Sequence, residues 1–273
     1  PYTRGLIACK PQWGHRYHRL PVLADFTTAA EYQPPVTTDR VPAELPHEPT
    51  SPFLRVEDLT VDCHVQSKWW SNTSKGHRAV ADVSFSIYPG ETLGLVGESG
   101  CGKSTIAKTL ARLLQPTSGS ITIEGTSYAD LLANRDFYRQ VQIIFQDPFS
   151  SLNPRLPIGA AIAEPMLVHR IESSAANRKA KVVDLLETVG LQADDFQKYP
   201  HQFSGGQRQR ISIARALSVD PRFIICDEVV SALDVSVQAV ILNLLKDLQE
   251  QKGLTYLFIS HDLAVVQFIS QRI

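Results

Sequence analysis

The stretch from Gly97 to Thr105 holds residue types that could grip a triphosphate. It reads Gly97-Glu98-Ser99-Gly100-Cys101-Gly102-Lys103-Ser104-Thr105, which fits G-x-x-x-x-G-K-[ST]. Gly97, Gly100 and Gly102 permit backbone dihedrals that a Cβ would forbid, so successive N–H groups can turn inward toward phosphate oxygens. Lys103 adds a positive charge near the β- and γ-phosphates. Ser104 offers a hydroxyl to Mg²⁺. A helix starting here directs the positive end of its dipole at the same anion. The flanks agree: Glu91–Val96 reads as a short buried strand entering the loop, and Ile106–Leu114 as a helix leaving it.

Further groups sit where phosphoryl chemistry would need them. Asp227 closes the apolar run Phe223–Cys226, a placement that presents a carboxylate to a metal. Glu228, next to it, can orient and polarise an attacking water. Phosphoryl transfer asks for positioning and charge neutralisation more than covalent chemistry. Gln146 ends another apolar run and could touch the metal or the water through its amide. His261, just past Leu254–Ile259, could hydrogen-bond a γ-phosphate. Alone, each of these two is ordinary; beside a phosphate loop they gain meaning. Ser204, Gly205 and Gly206 precede a helical pattern from Gln207 to Leu217, which makes a second anion-binding helix start. One nucleotide does not obviously need both devices. Two subunits resolve this if each closes its second device on the other's nucleotide.

The elements that must position these groups alternate. Phe53–Val61 and Ala79–Ile87 read as strands, as do Gly119–Gly125, Val141–Phe145, Phe223–Cys226 and Leu254–Ile259. From Asp147 to about Val219 the pattern is helical, and Val182, Leu185, Leu186 and Val189 make one apolar face. Val237, Val240, Ile241, Leu244, Leu245 and Leu248 mark another amphipathic helix. Strands alternating with helices predict a largely parallel sheet with ligand at the strands' C-terminal ends. Residues 1 to about 50 differ: Pro11, Pro21, Pro34, Pro35, Pro42, Pro46, Pro49 and Pro52 punctuate them, which predicts an extended linker. Trp69 and Trp70 lie in a polar stretch and could stack on a purine, Trp70 preferred, or cover an edge of the core.

Composition sets bounds. The chain has 273 residues and is 43% apolar, enough for a sizeable core. Basic and acidic residues number 27 and 28, which argues against a nucleic-acid binder relying on bulk positive charge. Cys9, Cys63, Cys101 and Cys226 form no C-x-x-C pair, so neither a zinc site nor a disulfide framework is expected. No apolar run approaches the roughly 18 residues of a membrane span, so a membrane role would go through a partner.

Taken together, Gly97–Thr105, Gln146, Ser204–Gln207, Phe223–Glu228, Ser231–Asp234 and His261 resemble the ATP-binding cassette of transporters. The resemblance covers 53–273. It implies an α/β fold: a P-loop NTPase core with a largely parallel sheet, an N-terminal antiparallel β region and an inserted helical signature subdomain near 147–219. It implies ATP and Mg²⁺ as cofactors, and catalysis by Glu228, His261, Gln146 and Lys103. Ser104, Gln146 and Asp227 would hold the metal. It further implies a head-to-tail dimer with a second cassette, with Ser231–Asp234 at the seam. Two transmembrane permease subunits, a periplasmic or extracellular solute-binding protein and a peripheral place on the cytoplasmic face of the bacterial inner membrane complete the picture; nucleic acid is not among the partners.

Ile144–Arg155, Tyr199–Gly206 and Val230–Ser236 are similar to the oligopeptide/dipeptide/nickel importer ATPases. Pro1–Pro11, followed by a proline-rich linker, is similar to the join in fused double-cassette glutathione and peptide import ATPases, and predicts that 1–50 is the tail of a preceding cassette plus a linker. Uptake of peptides or glutathione-like solutes is therefore expected. A nickel importer ATPase and a non-transport cassette protein are the alternatives. Val229-Val230 replace a common Pro-Thr pair, and the chain stops at Ile273 where the family continues, which suggests a fragment.

Overall fold

The computed structural model of the chain describes residues 2–14, 17–28, 51–64, 76–133 and 136–273. Trp69 and Trp70 lie outside the described residues. The elements, in chain order, begin with α1 (Tyr2–Cys9), α2 (Asp25–Thr28), β1 (Leu54–His64), β2 (Gly76–Ile87), β3 (Thr92–Val96) and α3 (Lys103–Leu110). There follow β4 (Ser118–Ile123), β5 (Thr126–Ser127), α4 (Phe137–Gln140), β6 (Val141–Ile144), α5 (Pro148–Ser151), α6 (Ile158–Val168) and α7 (Ala175–Thr188). The last are α8 (Gly205–Leu217), β7 (Phe223–Asp227), α9 (Val235–Lys252), β8 (Thr255–Ser260) and α10 (Leu263–Ile269).

The strands form two sheets. One is antiparallel, in the order β2-β1-β4-β5; the other is parallel, in the order β3-β8-β7-β6. The parallel sheet explains the unbroken apolar runs. Successive side chains of β7 point to opposite faces. Phe223 and Ile225 pack with β1, β4 and α3, whereas Ile224 and Cys226 pack with α6, α8, α9 and α10. Both faces are covered, so no position tolerates a polar residue until the strand ends. β8 divides in the same way: Leu257 and Ile259 on one side, Tyr256 and Phe258 on the other. The helices of 148–217 pack on one another through Ile162, Met166, Val182, Leu186 and Ile211, all at the limit of burial. They bring Ser204 to the start of α8.

Residues 2–14 and 17–28 are packed rather than extended. Cys9 and Leu20 are fully buried, and Tyr17 nearly so, in the core that contains α9 and α10. Asn243 of α9 accepts a hydrogen bond from the Leu20 N–H at 2.9 Å and donates to the Leu20 carbonyl at 2.7 Å. Prolines 11 and 21 break helices here but leave the few apolar side chains between them free to dock. With no regular period, those side chains carry no signal of their burial.

Candidate active site

Four strand ends bring chemistry to one edge. The phosphate loop follows β3, Gln146 follows β6, Asp227 and Glu228 end β7, and His261 follows β8. All leave the C-terminal ends of parallel strands, where such sheets bind ligands.

The loop turns where glycine allows it. Gly100 and Gly102 have φ of 85° and 96°. A Cβ on Gly102 would lie 2.3 Å from the carbonyl oxygen of Ala79 on β2, and one on Gly97 would lie 2.7 Å from Cys101 Sγ. The loop is thus a cradle that side chains would fill. Lys103 opens α3 and is only 5% exposed. Its Nζ donates to the carbonyls of Gly97 and Glu98, both at 2.7 Å, which holds a positive charge inside the cradle. Ser104 is exposed beside it, and its Oγ donates to Asp227 Oδ1 at 3.0 Å. Thr105 sits half-buried one residue further along α3, while Glu98, Ser99 and Cys101 line the exposed rim.

Asp227 is 5% exposed. Burial pushes its carboxyl above the usual range; the Ser104 hydrogen bond and Lys108 and Lys103 pull the other way, and Glu228 adds to the rise. Glu228 takes φ of 53°, a left-handed conformation uncommon for a side-chain-bearing residue. Its N–H still donates to the Ile259 carbonyl on β8, at 3.1 Å. The twist points its carboxylate out of the strand end. Gln146 Nε2 donates to Glu228 Oε2 at 3.1 Å and to Ser231 Oγ at 3.3 Å. His261 Nδ1 lies 3.7 Å from the same Glu228 oxygen. Ser231 is anchored in turn, its hydroxyl donating to the Glu228 carbonyl at 2.9 Å.

Sequence reasoning named Gln146, Glu228 and His261 separately, and the structure brings them together. It did not name Ser231 as the second partner of Gln146. The spacing Glu228-x-x-Ser231 was the available signal, since a hydroxyl three residues on can bond back to a carbonyl.

Ser204 and Gln207 cap α8 reciprocally: Ser204 Oγ accepts from the Gln207 N–H at 3.3 Å, and Gln207 Oε1 accepts from the Ser204 N–H at 2.9 Å. The caps leave the first-turn N–H groups of Gly205 and Gly206 pointing out of the helix start. A Cβ on Gly206 would lie 2.2 Å from Val237 Cγ1, so this glycine seats α8 against α9. Among the described residues no hydrogen bond joins 204–207 to the phosphate loop.

The residues present fit a magnesium–nucleotide pair. Ser104 Oγ and Asp227 Oδ1 are hard oxygen donors side by side, and no cluster of three or more His, Cys, Asp or Glu competes for a metal among the described residues. Mg²⁺ needs few protein ligands when phosphates supply the rest. Burial drives the Cys226 thiol far above its ordinary range, so it offers no thiolate ligand.

A glycine cradle between a parallel strand and a helix, with an acidic pair at a neighbouring strand end, defines a P-loop NTPase α/β fold. Residues 80–231 match the sequence profile of the ABC transporter family, and the chain belongs to that family. It is similar to the oligopeptide transport ATP-binding protein OppF of Bacillus subtilis (strain 168), 54% identical over 199 residues, or 72% of this chain and 65% of that protein. It is also similar to the glutathione import ATP-binding protein GsiA of Pectobacterium atrosepticum, 44% identical over 279 residues, covering 100% of this chain and 44% of that protein. The chain therefore spans 44% to 65% of the length of these two relatives. A dimeric structure of the bacterial ABC transporter cassette MJ0796 superposes with TM-score 0.67 at 28% identity, over 79% of this chain and 90% of that one. A dimeric post-hydrolysis state of the same cassette, bound to ADP and Pi, matches with TM-score 0.67 at 27% identity, over 80% and 94% of the chains.

Proposed function

We propose that this chain is the ATP-hydrolysing cassette of a bacterial importer for peptides or glutathione-like solutes. One observation carries the reading: Gln146 and His261 converge on the Glu228 carboxylate, and Ser231 bonds to the Glu228 main-chain carbonyl, beside the Ser104–Asp227 pair. The loop N–H groups and Lys103 would hold the β- and γ-phosphates, with the Lys103 ammonium exchanging its two loop carbonyls for phosphate oxygens. Ser104 and Asp227 would hold Mg²⁺, with Gln146 reaching toward it, and the ion when bound neutralises phosphate charge. Glu228, fixed at the strand end, orients water and accepts its proton. Gln146 steadies that carboxylate through its amide. His261, exposed and next to Glu228, is placed to donate to the γ-phosphate.

Ser204, Gly205, Gly206 and Gln207 would close on a second cassette's nucleotide in a head-to-tail dimer. The dimeric cassettes that resemble this chain support that reading. A groove of about 540 Å³ lined by Phe145, Ser151, Pro165, Ser212 and Arg215 lies between the sheet edge and the helices of 148–217, and suits a permease segment. No helix among the described residues is long and apolar enough to cross a membrane. The likeness to oligopeptide and glutathione import ATP-binding proteins supports a place on the cytoplasmic face, beside two permease subunits and a solute-binding protein. Residues 1–50 would be the tail of a preceding cassette plus linker. Similarity across 100% of this chain to a glutathione import protein more than twice its length supports this.

The test is Glu228→Gln. Hydrolysis should fall about 100-fold or more while ATP binding persists. Turnover at the parent rate removes Glu228 from the role.

A further inference from the structure

α9 carries a polar stripe that site chemistry does not use. Asn243, Lys246 and Asp247 stand at i, i+3 and i+4, one face of the helix. All three bind the segment that precedes β1. Asn243, 2% exposed, both accepts from and donates to the main chain of Leu20. Lys246 Nζ donates to the His18 carbonyl at 3.0 Å. Asp247 accepts from Arg19 Nη1 through both carboxylate oxygens at 3.0 Å. On α10, Gln267 Oε1 accepts from the Gly14 N–H at 2.9 Å. Lys246 also lies over the Phe268 ring of α10, 4.5 Å from its centroid. Cys9 and Leu20 fill the apolar floor.

The two helices so joined start at the nucleotide edge. α9 is capped by Asp234, three residues past Ser231, and α10 by Asp262, one past His261. At 1.5 Å per residue, Asn243 is only about 12 Å from the start of α9 and Gln267 about 6 Å from the start of α10.

We propose that the outer face of α9 and α10 is a docking site for Gly14 and residues 17–20 of this same chain, and that these docked residues clasp the two helices together and position His261 against Glu228. Asn243 is the anchor, since its loss strands two buried main-chain groups of Leu20. His261 is held through α10, so the clasp residues are positioning residues. A link to whatever precedes the segment follows: tension on it loosens the clasp and relaxes one wall of the site.

Cys9 reports docking, because it is fully buried in the same apolar cluster as Tyr17 and Leu20, and burial, with Asp25 nearby, raises its pKa. In the full chain, alkylation of Cys9 by N-ethylmaleimide is followed by peptide mass, with the fully buried Cys226 as the gauge of an intact core. Asn243→Leu should speed Cys9 alkylation about tenfold or more while Cys226 stays protected. Arg19→Asp and Asp247→Arg, both at exposed positions that leave the core alone, should each speed it about two- to threefold, and the double reversal should restore the parent rate. Amide exchange at Ala264 and Val265, the first turn of α10, should rise with Cys9 reactivity. Unchanged Cys9 rates in Asn243→Leu and in both charge reversals overturn the docking site. Faster Cys9 alkylation with unchanged exchange at 264–265 overturns the clasp. Protection that disappears on dilution gives the site to a neighbouring copy's segment and overturns the assignment to this chain. None of these readouts depends on ATP turnover, so they stand apart from the Glu228→Gln test.

Discussion

Asp227→Asn should make the protein more stable and less able to hold a metal–nucleotide pair. The carboxyl is buried, its pKa is raised, and its Oδ1 accepts from Ser104 at 3.0 Å. Asparagine keeps that acceptor and the volume but removes the charge. The sign follows from linkage. An unfolded aspartate ionises near pH 4. Between there and the raised native value, the folded state binds more protons than the unfolded one, so stability of the parent falls as pH rises. Below that window both states are protonated and the penalty vanishes; above it the penalty is complete. Each tenfold bias toward the protonated form costs the folded state about 1.4 kcal/mol. In a chain of this size 1 kcal/mol moves Tm by about 2 °C. Thermal melts in EDTA should therefore place Asp227→Asn about 2–4 °C above the parent at pH 7.5, with the gap closing toward pH 4.5. Adding Mg²⁺ and ATP should raise the parent's Tm and leave the variant's almost unmoved. A variant that melts at or below the parent at pH 7.5, or a gap independent of pH, refutes burial as the cause of the shift.

Gly102→Ala places a Cβ 2.3 Å from the Ala79 carbonyl at a φ of 96°. It should destabilise by about 2 kcal/mol or more and abolish nucleotide binding, read by denaturant melts and by a fluorescent ATP analogue. Gly206→Ala drives a Cβ to 2.2 Å from Val237 Cγ1. It should cost about 1–3 kcal/mol by overpacking, and Val237→Ala should recover most of that in the double variant. Additive losses in that pair would show that the seat of α8 on α9 is not the contact responsible.

Much of the site was legible because its parts are local. The glycine spacing of 97–102 and the Asp227–Glu228 pair after a buried run need no partner to be recognised. Strand positions followed from apolar runs covered on both faces, and the observed strands match within a few residues. Other features had no local mark. Glu228 adopts a left-handed backbone that its residue type does not announce. β5 is two residues long and α10 seven, too short for a period to register. Leu20 is held by Asn243, which lies more than 220 positions away. The proline content around Leu20 pointed instead to an extended chain.

By itself the amino-acid order determined which residues can cradle a phosphate and which strand ends carry acids, because residue type at fixed spacing sets those properties within a few positions. Tertiary structure alone decided which ends meet. The parallel sheet runs β3-β8-β7-β6, so Gln146, Glu228 and His261 become neighbours only after crossovers of tens of residues close. The same long-range closure decides what covers α9. Such contacts form because buried area and paired main-chain groups are satisfied together, and no window of neighbouring residues contains both partners.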